Sequence, residues 1–98
     1  MKQIEAVIDQ FKLQEVRSAL EEMGVEEIME STIRCRRKGQ TMMFRGATFV
    51  ATIVEKVRIE VVAADDAVAA IIETIAAIAR TGRTQECRIA IHPYLEMT

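Results

Sequence analysis

"TFVATIVEKVRIEVVAADDAVAAIIETIAAIARTG", residues 48–82, holds the two periodicities from which the fold follows. Its first part, residues 48–63, is crowded with β-branched side chains, and Val57, Ile59 and Val61 alternate with Lys56, Arg58 and Glu60. Successive side chains on an extended backbone face opposite sides, so this alternation predicts a half-buried strand. At Asp65 the period changes. Val68, Ile71, Ile72, Ile75 and Ile78 recur at helical spacing and form an apolar stripe. Asp65 is placed to cap that helix, Asp65 and Asp66 complement its dipole, Arg80 sits in its last turn and Gly82 ends it.

Working outward, "CRIAIH" (87–92) reads as a short strand with Ile89 and Ile91 facing inward, stopped by Pro93. On the N-terminal side, "KQIEAVID" (2–9) sets Ile4, Ala6 and Ile8 on one face and Glu5, Val7 and Asp9 on the wetter other. In "FKLQEVRSALEEMG" (11–24), Leu13, Val16, Leu20 and Met23 form a helical stripe, and Gly24 supplies the left-handed stop. Residues 27–36 read as a less regular strand. The order is strand–helix–strand twice over, in halves of similar length. That order predicts an α+β fold, a ferredoxin-like βαββαβ sandwich with a four-stranded antiparallel sheet and two helices on one face. Residues 1–98 form a single domain, too short for two independent cores. With an aromatic content of 4%, the core must be aliphatic. The sheet's other face must meet water or another subunit. Val7, Val62 and Ala90 would lie on or near it, which favours association with further copies.

The formal net charge of −2 argues against bulk nucleic-acid or anionic-membrane binding. No strand offers the aromatic pattern on which RNA bases stack. Cys35 and Cys87 lie far apart and form no CxxC pair, which fits a reducing cytoplasm. The N-terminal stretch carries acids within its apolar run, unlike a signal peptide, and no apolar run approaches the ~20 residues needed to span a bilayer. Nothing suggests catalysis: there is no nucleophile–base pair at suggestive spacing, no metal-ligand signature and no Walker-type loop. The unusual segment is "IRCRRKGQTMMFRGATFV" (33–50), which carries Arg34, Arg36, Arg37, Lys38 and Arg45. A hairpin usually closes in about two to five residues, so a longer cationic connection suggests a binding segment, with a merely solvated loop as the alternative.

Several stretches, taken in order, resemble the PII signal-transduction family: the opening "MKQIEAVIDQFKLQEVRSALEEMGV", then "KGQT", "RGA", "EKVRIEVV", "DD" and "TGR". The resemblance implies a homotrimer that binds adenine nucleotides in clefts between subunits and signals through a long T-loop, here residues 35–49. By position it implies that Cys35, Arg36, Arg37 and Lys38 at the loop base, Lys56 in the third strand, and Gly82, Arg83, Glu86, Cys87 and Arg88 in the B-loop border the phosphates. Val7 and Val62 would pack near the adenine, and Glu60 would stand near the subunit boundary. The implied ligand is ADP or AMP ahead of ATP, or a small anion such as bicarbonate near Arg37 and Lys56, with no tightly held cofactor. The implied protein target is a transporter or a metabolic enzyme.

The chain also departs from that family. Its T-loop is shortened, and Phe49 stands at the tyrosine that enteric relatives uridylylate. Arg37 replaces the glutamine that helps to hold magnesium and 2-oxoglutarate. In the B-loop, Gln85 and Cys87 replace glycines, whose bare backbone lets N–H groups approach phosphate. The sequence ends at Thr98 without the family's C-terminal arginine segment. Cys35 and Cys87 both fall at the implied cleft. They raise an alternative, a metal- or redox-responsive trimeric module using Cys35, Cys87 and His92 or Met42. The competing reading is that each cysteine is a small buried residue.

Overall fold

Asp9 marks the first change of direction in the chain. A computed structural model describes residues 1–36, 41–44, 47–50, 53–80 and 87–97, those of 41–44 and 47–50 by backbone alone. Strand β1 (Lys2–Ile8) buries Ile4, Ala6 and Ile8, as its alternation predicts. The Asp9 carboxylate then accepts the Phe11 N–H at 3.0 Å, and the Lys12 N–H donates to the Asp9 carbonyl at 3.0 Å. These bonds satisfy donors that a helix start would leave orphaned. They form a 3-10 turn, Gln10–Lys12, that runs into helix α1 (Leu13–Glu22). Reading Asp9 only as the wet end of a strand missed this cap.

Helix α1 buries Val16 and Leu20, with Leu13 partly covered. Met23, expected in the buried stripe, is 42% exposed because it is the C-cap, where the helix already turns away. Gly24 has φ of 90°, its N–H reaches the Glu21 carbonyl at 3.0 Å, and the Val25 N–H reaches the Leu20 carbonyl at 3.1 Å. Those two bonds are the Schellman pattern, and they need the left-handed residue that glycine supplies without strain. Val25 then packs on the core.

The long strand expected over 48–63 is two strands in different sheets. Strand β2 (Met29–Arg36) is followed by β3 (Thr41–Phe44) and β4 (Ala47–Val50), which pair as a separate two-stranded ribbon. Strand β5 (Ile53–Ala63) belongs to the main sheet. Strand β2 ends at Arg36, opposite Ile53, while residues 47–50 pair with residues 41–44 instead of with the main sheet.

After β5 a 3-10 turn, Asp65–Ala67, leads into helix α2 (Val68–Ala79). Asp65 does not cap it: the turn begins at Ala64 and no side chain caps it, although both aspartates stand in the first turn, where the dipole favours them. Ile71, Ile75 and Ala79 are buried, and Val68, Ile72 and Ile78 pack at the margin. The expected stop at Gly82 lies outside the described residues. Strand β6 (Arg88–Pro93) completes an antiparallel sheet in the order β2-β5-β1-β6. Both helices cover one face, where Val16, Leu20, Ile71 and Ile75 meet Ile4, Ile8, Ile59 and Val61. This is the ferredoxin-like sandwich. Ile91 pairs with Ile4 on the helix side, yet it is 49% exposed, because β6 is an edge strand that the helices cover incompletely. Its expected inward placement holds for direction and not for burial.

Candidate functional site

The uncovered face of the sheet carries rows of charge. Register places Gln3, Glu5 and Val7 of β1 beside Val62, Glu60 and Arg58 of β5, and beside His92, Ala90 and Arg88 of β6. Val7, Val62 and Ala90 lie on this face as expected, but ionic residues separate them, so it is less apolar than the sequence suggests. Glu5 and Glu60 are direct cross-strand partners, a like-charge pairing that repels. Arg58 offsets it, approaching Glu60 at 3.3 Å and Glu5 at 3.9 Å. Gln3 donates to Glu60 at 2.8 Å, and His92 Nε2 lies 3.2 Å from Glu5. Among the described residues the buried Arg58 Nε has no aligned hydrogen-bond acceptor, despite its ion-pair distance to Glu60.

The implied site residues divide between two ends of this sheet. Toward one end, where β2 finishes and β5 and β6 begin, lie Cys35, Arg36, Lys56, Val7, Cys87 and Arg88, with Arg36 (opposite Ile53) and Arg88 (level with Arg58 through Val7) on the two edge strands roughly 20 Å apart. Arg36 and Arg88 are exposed, and Lys56 is only 4% exposed. The Lys56 ammonium stands 4.0 Å from the second carboxylate oxygen of Asp9. Glu60 and Val62 lie toward the other end and line a cavity of about 810 Å³ with Met23, Met29, Glu26 and Tyr94. Six residues of extended strand separate Lys56 from Val62, roughly 20 Å at about 3.3 Å per residue. One chain therefore does not bring the two groups together. Arg37, Lys38, Gly82, Arg83 and Glu86 lie outside the described residues. Met42 and Phe49 are placed by backbone alone, in β3 and β4.

Sequence reasoning missed Asp9 as a neighbour of Lys56, and also the cavity walls formed by Met29 and Tyr94. The signal for Asp9 was available, since a strand-ending aspartate before a helix is a common cap. Nothing local marks the cavity walls, which converge only through the sheet order.

The two cysteines are free and partly buried. Cys35 lies in β2 and Cys87 abuts β6, the opposite edges of the sheet. Three strand spacings of about 4.8 Å put these edges roughly 14 Å apart, beyond the 7 Å that a disulfide can bridge. Burial pushes the Cys87 thiol above its ordinary range, with Arg80 opposing, so its reactive thiolate is disfavoured at neutral pH. His92 contacts Glu5 rather than either thiol. Among the described residues no group of three or more His, Cys, Asp and Glu side chains could hold a metal ion. Among the same residues, no helix is long and apolar enough to cross a membrane.

Comparison with known proteins adds an independent line. Residues 1–94 match the family model described as nitrogen regulatory protein P-II. A nitrogen regulatory protein P-II of Cereibacter sphaeroides is 43% identical over 95 residues, spanning 95% of this chain and 85% of the relative. One from Mesorhizobium japonicum is 45% identical over 93 residues, 93% of this chain and 83% of the relative. Nitrogen regulatory protein P-II 1 of Escherichia coli is 38% identical over 93 residues, with the same coverage.

Proposed function

The chain belongs to the nitrogen regulatory protein P-II family of trimeric, non-enzymatic signalling proteins, and from that premise we propose that it binds an adenine nucleotide at three clefts shared between subunits. The division of the site carries this reading. Arg36, Lys56 and Arg88 supply cations at one end of the sheet, while Glu60, Val62 and the 810 Å³ cavity lie at the other. A neighbouring copy that sets its far end against this chain's cationic end completes the pocket. The phosphates then meet the cations, and the base enters the partly apolar cavity beside Val62.

The ligand is ADP or AMP ahead of ATP, because Gln85 and Cys87 stand where related chains carry the glycines that let backbone approach phosphate. Bicarbonate near Arg37 and Lys56 is the small-anion version of the same chemistry. Signalling is a population shift. Ligand charge pairs with Arg36, Arg37 and Lys38 and biases the segment 35–49, which presents or withholds a surface for a transporter or metabolic enzyme in the cytoplasm.

Isothermal calorimetry with AMP, ADP and ATP tests the binding step. The expected outcome is saturable binding of AMP or ADP, weakened about tenfold or more by Arg88→Ala, the scale of one lost charge-assisted hydrogen bond. Silence toward all three nucleotides would remove the proposal.

A further inference from the structure

Lys56 is the one buried charged side chain among the described residues, and it faces the carboxylate of Asp9. Asp9 is 13% exposed at its side chain and uses both oxygens. Its Oδ1 accepts the Phe11 N–H at 3.0 Å, and its Oδ2 stands 4.0 Å from the Lys56 ammonium. The Asp9 carbonyl accepts the Lys12 N–H as well, so backbone and side chain are both tied to the turn that starts α1. Swinging the carboxylate aside would strip the 3-10 turn that leads into α1 of its side-chain cap. A negative charge is therefore built in beside the lysine, one residue past the end of β1, whose Val7 pairs with Arg88.

We propose that Asp9 is a specificity-determining residue that sets how much negative charge the site accepts; this rests on the nucleotide-binding reading above. An anion approaching Arg36, Lys56 and Arg88 meets a fixed negative charge that opposes it in proportion to its own. Lys56 and Asp9 are both largely buried, so their charges are less screened than charges in open water, and Asp9 repels an incoming anion as it attracts the lysine. The penalty is least for a monophosphate and grows with each further phosphate. Asp9 thus favours ligands of low charge independently of the B-loop glycines, by electrostatics rather than by backbone access.

Asparagine caps helices about as well as aspartate, so Asp9→Asn removes the charge and keeps the turn. The experiment titrates AMP, ADP, ATP and inorganic tripolyphosphate into the full chain and into Asp9→Asn, with circular dichroism confirming that the variant folds. The expected result is that Asp9→Asn raises affinity for ATP and tripolyphosphate by about tenfold or more, with AMP changing by less than about threefold. An Asp9→Asn profile that keeps the wild-type ranking of AMP against ATP overturns the inference while leaving nucleotide binding intact. Nucleotide silence in both proteins removes the adenine-nucleotide reading. In that case an unchanged tripolyphosphate affinity overturns the inference, and a selective gain in the variant upholds it. Asp9→Ala supplies a further control. It removes cap and charge together, so a gain for ATP that appears only with loss of helix would assign the effect to unfolding and overturn the inference.

Discussion

Leu20 and Ile75 are both completely buried, from opposite helices, in the aliphatic core. Truncating either to alanine removes packed methyl groups and leaves a void that neighbours fill only partly. Leu20→Ala is expected to cost about 2–5 kcal/mol, read by chemical denaturation at fixed protein concentration. Gly24 behaves differently. An added Cβ would touch nothing within 4 Å, yet φ of 90° strains any L side chain. Gly24→Ala should therefore lose about 1–2 kcal/mol without any steric clash, and a neutral result would contradict the left-handed cap. Cys87 gives a third test at this scale. Its thiol is pushed up by burial, so the folded state holds the proton more tightly than the unfolded chain does. The resulting contribution to stability is complete below the ordinary thiol range and is lost as pH rises through the elevated one. Alkylation of Cys87 in the native protein should accordingly be slower than in the denatured chain and should accelerate only at alkaline pH.

Arg17 and Glu30 tie helix α1 to strand β2 through two parallel hydrogen bonds, at 2.7 and 2.9 Å. The hydrogen bond from Arg17 holds the Glu30 carboxyl below its usual range. The folded state thus binds that proton less readily, so the pair's contribution exists above the ordinary glutamate range and disappears as pH falls through the depressed one. Arg17→Met should lower the thermal midpoint slightly at neutral pH, with the difference vanishing under acid conditions. A larger test concerns the connection between β2 and β5. Because Arg36 already faces Ile53 across the ladder, a two-residue Asn-Gly turn can replace residues 37–52 and close the hairpin directly. The shortened chain should keep its helical circular dichroism and its oligomeric state, while losing any regulation of a target. The main elements were legible because their periods are clean: two for Ile4, Ala6 and Ile8, and close to 3.6 for Ile71, Ile75 and Ala79. The division of residues 48–63 was not legible, since β-branched composition reports extended backbone and not the identity of the partner strand.

At the scale of the whole molecule, no described helix covers the sheet face bearing Glu5, Arg58, Glu60 and His92, and the proposed site residues lie toward opposite ends of it. The sequence named most of the site residues through a family resemblance, but their separation emerges only from register, which brings the ends of four strands together. In the proposed reading, closure into a trimer joins the halves, and sedimentation should give three times the 11.0 kDa chain mass. The most direct test of a shared site mixes two defective chains. Arg88→Ala damages the cationic end, and Val62→Asp damages the cavity end. Each variant alone should bind about tenfold or more weakly and show no saturation at concentrations that fill the unaltered protein. Reassembled together in equal amounts, a closed ring pairs an intact cationic end with an intact cavity end in about one quarter of its clefts, so nucleotide binding should return at about that stoichiometry. Mixed assemblies that stay silent, from variants that each still form trimers, would show that both damaged groups serve one and the same chain, and the shared cleft would be contradicted.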